Sequence, residues 1–366
     1  MGSATHLQEQ RQSGPSSLAA WLDKTADGLD TGHESPDQVL TALADAGLAR
    51  IGVPKEFGGD GGELVDAVAA ITDVSSRSLA AGFVLWGHRT YIEYLLQSPN
   101  AALRERLLPD LLKGSLAGAT GLSNAMKFLE GLEELQFAAR PVGDRLVLGG
   151  KLPWVTNLRS DAFHVAVAVS RNDGPPFIAS LSSDDDGLKR SDDLDLIGLR
   201  STNTAAITAH DVEIGPDRVL HQDAAAWLPT VRPAFLGLQC GMSLGLAQRA
   251  IEEVRKATGS GRASLAEARS DLLTALERTE QALFNGLQRN IFHSDAAGLF
   301  RIRIALADTA ATAVGLELQA SGGKAYINAE GNGFRRRWRE AAFIPIITPS
   351  LVQLKAALAR HAAAPT

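Results

Sequence analysis

A chain of 366 residues, 45% of them hydrophobic, is long enough to bury a large core and fits two or three domains better than one. Its formal net charge of -6 argues against a nucleic-acid partner or an anionic membrane surface, since either calls for an excess of Lys and Arg over a broad face. The single cysteine, Cys240, excludes a disulfide framework and a thiolate metal cluster; its apolar surroundings read as a core position in a reducing compartment, so a cytoplasmic protein without a metal is expected.

Residues 1–17 are polar, lack an apolar run of signal-peptide length and are expected to be flexible. No later segment reads as long and apolar enough to span a bilayer. From 18 to 113 apolar residues recur at helical spacing, as in "QVLTALADAGLARIGV" and "RERLLPDLLKG", with Gly and Pro at the ends, which predicts an N-terminal helical domain. From 114 to 216 the pattern changes to short apolar runs separated by turn signals such as "RPVGDR" and "RNDGPP", which predicts a central antiparallel β domain. Helical periodicity returns in 217–366, in segments such as "GLAQRAIEEVRKAT", and predicts a C-terminal helical bundle. The fold class is therefore α+β, with no internal repeat.

That order, with several local motifs in register, resembles the acyl-CoA dehydrogenase superfamily over roughly residues 18 to 360. The most specific match is "WVTN", Trp154 to Asn157. Read alone, it is a core Trp beside a strand Thr; the resemblance implies that Trp154 covers one face of a flavin and that Thr156 hydrogen-bonds near N5. A flat aromatic there shields the ring from water, and a hydroxyl beside N5 polarises the atom that accepts hydride. "ATGLSNAMKF", Ala119 to Phe128, takes the place of the family's Leu-Thr-Glu-Pro loop. Ser123 then stands for the usual Thr and Leu122 contributes backbone to the flavin pyrimidine, while Asn124 and Ala125 replace Glu and Pro.

In the last third, "RASL" from Arg262 partly resembles the Arg-x-x-Phe that reaches a neighbouring subunit's cofactor. "QASGGKAY" matches the family's Gln-x-x-Gly-Gly, where Gln319, Gly322 and Gly323 meet the adenosine and diphosphate of another subunit's FAD. Gly322-Gly323 also reads as an ordinary helix C-cap. The resemblance implies FAD rather than FMN, and a homodimer or homotetramer. The run "RRRWRE", Arg335 to Glu340, reads as a solvated or inter-subunit helix face, with Arg339-Glu340 as the ion pair that the resemblance implies.

The same register places the family's catalytic Glu-Gly-Thr on Thr348-Pro349-Ser350. A threonine hydroxyl has neither the basicity nor an activating neighbour to remove the α-proton of a thioester. "RPAFLGLQCGMSLGLAQ", the other place where family members carry the acid, offers none. His88, in "VLWGHRTYIEYLLQS" on the helix that borders the family's substrate cavity, is the remaining candidate base. These readings imply a flavin-dependent oxidoreductase that passes hydride from a small organic substrate, such as an acyl-CoA or carrier-bound acyl group, to flavin N5. The alternatives are a flavin monooxygenase of the same superfamily and a non-catalytic partner subunit that keeps the fold.

Overall fold

The computed structural model describes residues 15–257, 259–328 and 333–363. The expectation of a flexible N-terminus therefore falls, for residues 1–14, outside the described residues, while Pro15 already opens the first helix. Five helices come first: α1 (Pro15–Thr31), α2 (Asp37–Asp45), α3 (Leu64–Arg77), α4 (Leu79–Leu96) and α5 (Ala101–Lys113). Helix α4 is apolar on nearly every side and buried almost throughout, which suits a helix that is wrapped by others. Helix α5 starts where Asn100 accepts a hydrogen bond from the Leu103 amide and stops at Gly114, whose φ of 71° no β-carbon favours.

The middle of the chain holds β1 (Ala117–Thr120), the short helix α6 (Ser123–Leu129), β2 (Phe137–Val142), β3 (Arg145–Val155), β4 (Phe163–Arg171), β5 (Phe177–Ser182), β6 (Leu188–Arg190), β7 (Ala205–Ile214) and β8 (Val219–His221). They form one sheet in the order β6-β7-β3-β2-β4-β5-β8, with β1 against β4. Both turn signals close hairpins: "RPVGDR" pairs Val142 with Arg145, and "RNDGPP" joins β4 to β5. The sheet is nevertheless mixed and not wholly antiparallel. β1 and β2 each run parallel to β4, and turn signals, which report only neighbouring strands, could not reveal that pairing.

The rest is helical: α7 (Ala224–Lys256), α8 (Ala266–Gln288), α9 (Ala296–Ser321), α10 (Gly333–Phe343) and α11 (Leu351–Ala363). Helix α7 is the central pillar and lies very close to α3. A β-carbon at Gly245 would stand 2.2 Å from the Thr72 carbonyl oxygen, and one at Gly241 2.8 Å from that of Val68.

The arginine run of α10 does not form a solvated face. Arg336 donates to Asp27 at 2.9 Å and Glu340 at 3.0 Å, Arg337 donates from Nε to Glu317 at 2.9 Å, and Arg339 from Nε to Asp30 at 2.7 Å. Arg339 and Glu340 thus pair with other residues and not with each other, and the run pins α10 to α1 and α9. Residues 333–361 include a window of mean hydropathy 1.5, long and apolar enough by composition to cross a membrane, which the sequence reading did not single out. The stretch is not a continuous helix, because α10 ends at Phe343 and α11 begins at Leu351.

Candidate functional site

A cavity of about 260 Å³ opens between α4, the end of β3, the β1–α6 turn and the segment after α10. It is lined by Trp154 of β3 and Thr156 just beyond it, with Thr120 and Ser123, and by Phe83 and Trp86 of α4 with Phe343, Ile346, Ile347 and Thr348. Four of the residues singled out in the sequence, Ser123, Trp154, Thr156 and Thr348, therefore converge on one space although they lie far apart in the chain. Leu122 is fully buried just before α6. A second cavity, of about 300 Å³, lies between α3, α4, α7 and α8; Glu63, Glu93 and His293 are among its lining, and it holds none of the expected site residues.

The β3 wall is built by a bulge. Between Leu152 and Val155 the pairing with β7 shifts register, and an extra residue in one strand re-aims the side chains around it. Trp154 is left 60% exposed, whereas Thr156 is buried. The hydroxyl of Thr156 donates to the Thr202 carbonyl at 3.2 Å, so what it offers the cavity is an acceptor oxygen. The same carbonyl accepts from the Asn157 amide at 3.0 Å, and Asn157, with φ 59°, donates its side-chain amide to the Gly118 carbonyl at 2.9 Å. Residues 199–204 therefore act as the clasp that fixes the end of β3. Helix α4 approaches from the other side so closely that a β-carbon at Gly87 would stand 3.0 Å from Thr156 Cγ2.

Asn124, where the resembling family has Glu, ties α6 to the following loop. It donates to the Glu133 carboxylate and the Glu134 carbonyl, each at 3.1 Å, and accepts from the Gln136 amide at 3.3 Å. The aromatic lining is rigid. Phe83 and Trp86 stack at 5.4 Å, Phe343 meets Phe83 edge-on at 5.0 Å, and the Trp86 indole donates to the Phe235 carbonyl at 3.2 Å.

His88 is placed elsewhere. Its Nδ1 accepts from the Gly118 amide at 3.0 Å, which fixes the tautomer, and its Nε2 donates to the Leu111 carbonyl at 2.9 Å. Both nitrogens are spent on backbone, the ring does not line the cavity, and burial lowers its pKa to about 4. It is a buried tie between α4, α5 and β1, and the candidacy as a base fails on geometry. Arg262, Gln319, Gly322 and Gly323 also stand outside the cavity. Of these, Gly322 and Arg262 lie together, since a β-carbon on Gly322 would come 3.1 Å from Arg262 Nη2, while one on Gly323 would meet nothing within 4 Å. Gly322, at φ 63°, caps α9, so the helix-cap reading holds for it.

Thr348 presents its side to the cavity and its carbonyl to α7, where Gln239 Nε2 donates to it at 3.2 Å. Gln239 Oε1 in turn accepts from Arg303 Nε at 2.7 Å. The sequence reading missed both residues. Their signal was one polar residue set between apolar neighbours in each of two helical runs, Gln239 in "LGLQCGM" and Arg303 in "IRIAL". Among the described residues the cavity lining contains no carboxylate and no imidazole; its one charged member, Lys127, is paired with Glu133 at 2.5 Å.

Helices, then a mixed sheet, then a helical bundle, with a cavity between the sheet and the two helical layers, define an acyl-CoA dehydrogenase-type fold. The family model for the acyl-CoA dehydrogenase N-terminal domain matches residues 9–115. Mitochondrial isovaleryl-CoA dehydrogenase of Pongo abelii is 25% identical over 356 residues, covering 89% of this chain and 82% of that one. Acryloyl-CoA reductase (NADH) of Anaerotignum propionicum is 31% identical, over 102 residues that cover 28% of this chain and 26% of the reductase. Among solved structures, butyryl-CoA dehydrogenase from Megasphaera elsdenii superposes with a TM-score of 0.80 at 16% identity over 100% of both chains. KijD3 in complex with FMN and a dTDP-amino-keto sugar superposes at 0.79 with 20% identity, over 95% of this chain and 91% of that one. Residues 9–115 thus match the acyl-CoA dehydrogenase N-terminal domain, and the chain as a whole shares the fold of solved acyl-CoA dehydrogenases.

Proposed function

We propose that this protein is an FAD-dependent oxidoreductase whose ring site is the cavity between β3 and α4. The observation that carries this reading is the convergence there of Ser123, Trp154 and Thr156, each expected at a flavin from its own motif. The residues suit such a group: an indole left 60% exposed beside a cavity offers a flat surface to stack on, and two hydroxyls face a ring with polar edges. When bound, flavin supplies an acceptor for hydride and, once reduced, a donor of two electrons to oxygen. Arg262, Gln319, Gly322 and Gly323 stand outside the cavity with open space over Gly323, which supports their serving a neighbouring subunit's FAD, and FAD over FMN. Tyr326 and Trp338, large aromatic side chains left 87% and 52% exposed, favour a homodimer or homotetramer.

Of the activities open to such a site, the lining favours the oxygen-using one. Dehydrogenation of an acyl thioester needs a base within hydrogen-bond reach of the α-carbon, and Thr348 with its apolar neighbours supplies none. A monooxygenase reaction on a compact, mainly apolar substrate makes no such demand of the lining. The FAD-loaded, chemically reduced protein should consume oxygen and transfer labelled oxygen into a small aromatic substrate. Anaerobic bleaching of the bound flavin by an acyl-CoA would establish the dehydrogenase instead, and inertness in both assays the non-catalytic subunit.

A further inference from the structure

Arg303, on α9, is fully buried, yet no carboxylate pairs with it among the described residues. Its Nε donates to Gln239 and its Nη2 to the Ile344 carbonyl at 2.9 Å, while Nη1 is buried with no partner. A guanidinium keeps its charge in a protein, and burying it without a counter-ion is expensive. The other buried arginines show the contrast: Arg89 faces Glu93, Arg336 faces Glu340 and Arg337 faces Glu317.

What Arg303 holds is the edge of the cavity. Directly at Ile344, and through Gln239 at Thr348, it fixes both ends of the segment whose Ile346, Ile347 and Thr348 line the space. The lining adds no negative charge, and Lys127 is already neutralised by Glu133. The field at Thr348 is therefore that of a cation with no carboxylate partner among the described residues, one side chain away and in buried surroundings that screen it poorly.

We propose that the cavity selects a compact, apolar molecule carrying one anionic oxygen group, and that Arg303, acting through Gln239 and the Thr348 segment, is the positioning residue that sets this choice. This rests on the cavity being the substrate side of a flavin site. The bound anion supplies the counter-charge that the folded chain leaves open.

The test compares benzoate with benzamide, its uncharged counterpart, on the FAD-loaded protein, followed by calorimetry and by the visible band of bound flavin. Benzoate should bind at least about tenfold more tightly, a difference of about 1.4 kcal/mol. Arg303→Met should abolish the preference and lower the unfolding temperature, since it also leaves Gln239 Oε1 and the Ile344 carbonyl without their donor. Arg303→Lys should keep most of it. Equal affinities, no binding of either probe, or a preference that survives Arg303→Met overturns the proposal; the wild-type comparison decides even where a variant fails to fold. Failure to load FAD would be seen first, by absorbance, and would count against the flavin site rather than against the charge preference, which the same titration still reads on the unloaded chain.

Discussion

His88 spends both ring nitrogens on backbone groups of other elements, so its charge state is coupled to folding and not to substrate. Its folded pKa of about 4 lies below the ordinary 6.5, so protons bind the unfolded chain more tightly. The His88 contribution is fully present above 6.5 and is lost as the pH falls from there towards 4, at up to about 1.4 kcal/mol per pH unit. His164, buried and lowered to about 3, adds to the same trend. Urea unfolding of wild type and His88→Gln from about pH 7 to about pH 5 should show the variant losing less stability with acid. Parallel curves would mean that His88 is not the neutral tie described above. At Thr156 the expectation concerns binding: Thr156→Val removes one hydrogen-bonding oxygen from the cavity and should weaken FAD affinity by about 1 kcal/mol, roughly fivefold, in a fluorescence titration. Unchanged affinity would make Thr156 only the partner of Thr202.

The contact between α3 and α7 is where the helical layers meet behind the cavity. Gly245→Ala puts a methyl group 2.2 Å from the Thr72 oxygen, which is backbone and cannot yield, so the helices must separate. We expect a loss of about 1–3 kcal/mol in chemical denaturation, against less than about 0.5 kcal/mol for Gly315→Ala, where an added methyl meets nothing within 4 Å. Equal effects would place the close approach elsewhere. Elements of this kind were partly legible in the sequence. The hairpins at 140–145 and 171–176 and the all-apolar α4 follow from local pattern, because both turn chemistry and helical periodicity act over a few residues. The parallel pairs of β4 and the partners of the arginines in α10 do not, since Asp27 and Asp30 lie 309 residues from Arg336 and Arg339, respectively, and nothing local announces them.

At the scale of the whole molecule the site divides in the same way. Ser123, Trp154, Thr156 and Thr348 were readable because each sits in a short motif whose spacing is set by one strand, turn or helix end. Arg303 and Gln239 were not, because their meaning comes from contacts 41 to 109 residues away that assemble only when α7, α9 and the segment after α10 pack together. The flavin site proposed above would give the exposed Trp154, the bulge in β3 and the cavity-lining Thr348 a common purpose. The measurement that bears on it most directly is titration of purified protein with FAD, read by visible absorbance and by calorimetry, with Trp154→Ala alongside. Saturable binding of one FAD per chain is expected, with a flavin band perturbed from that of free FAD, and binding weakened at least about tenfold by Trp154→Ala. Absence of both heat and a spectral change on adding excess FAD would contradict that expectation.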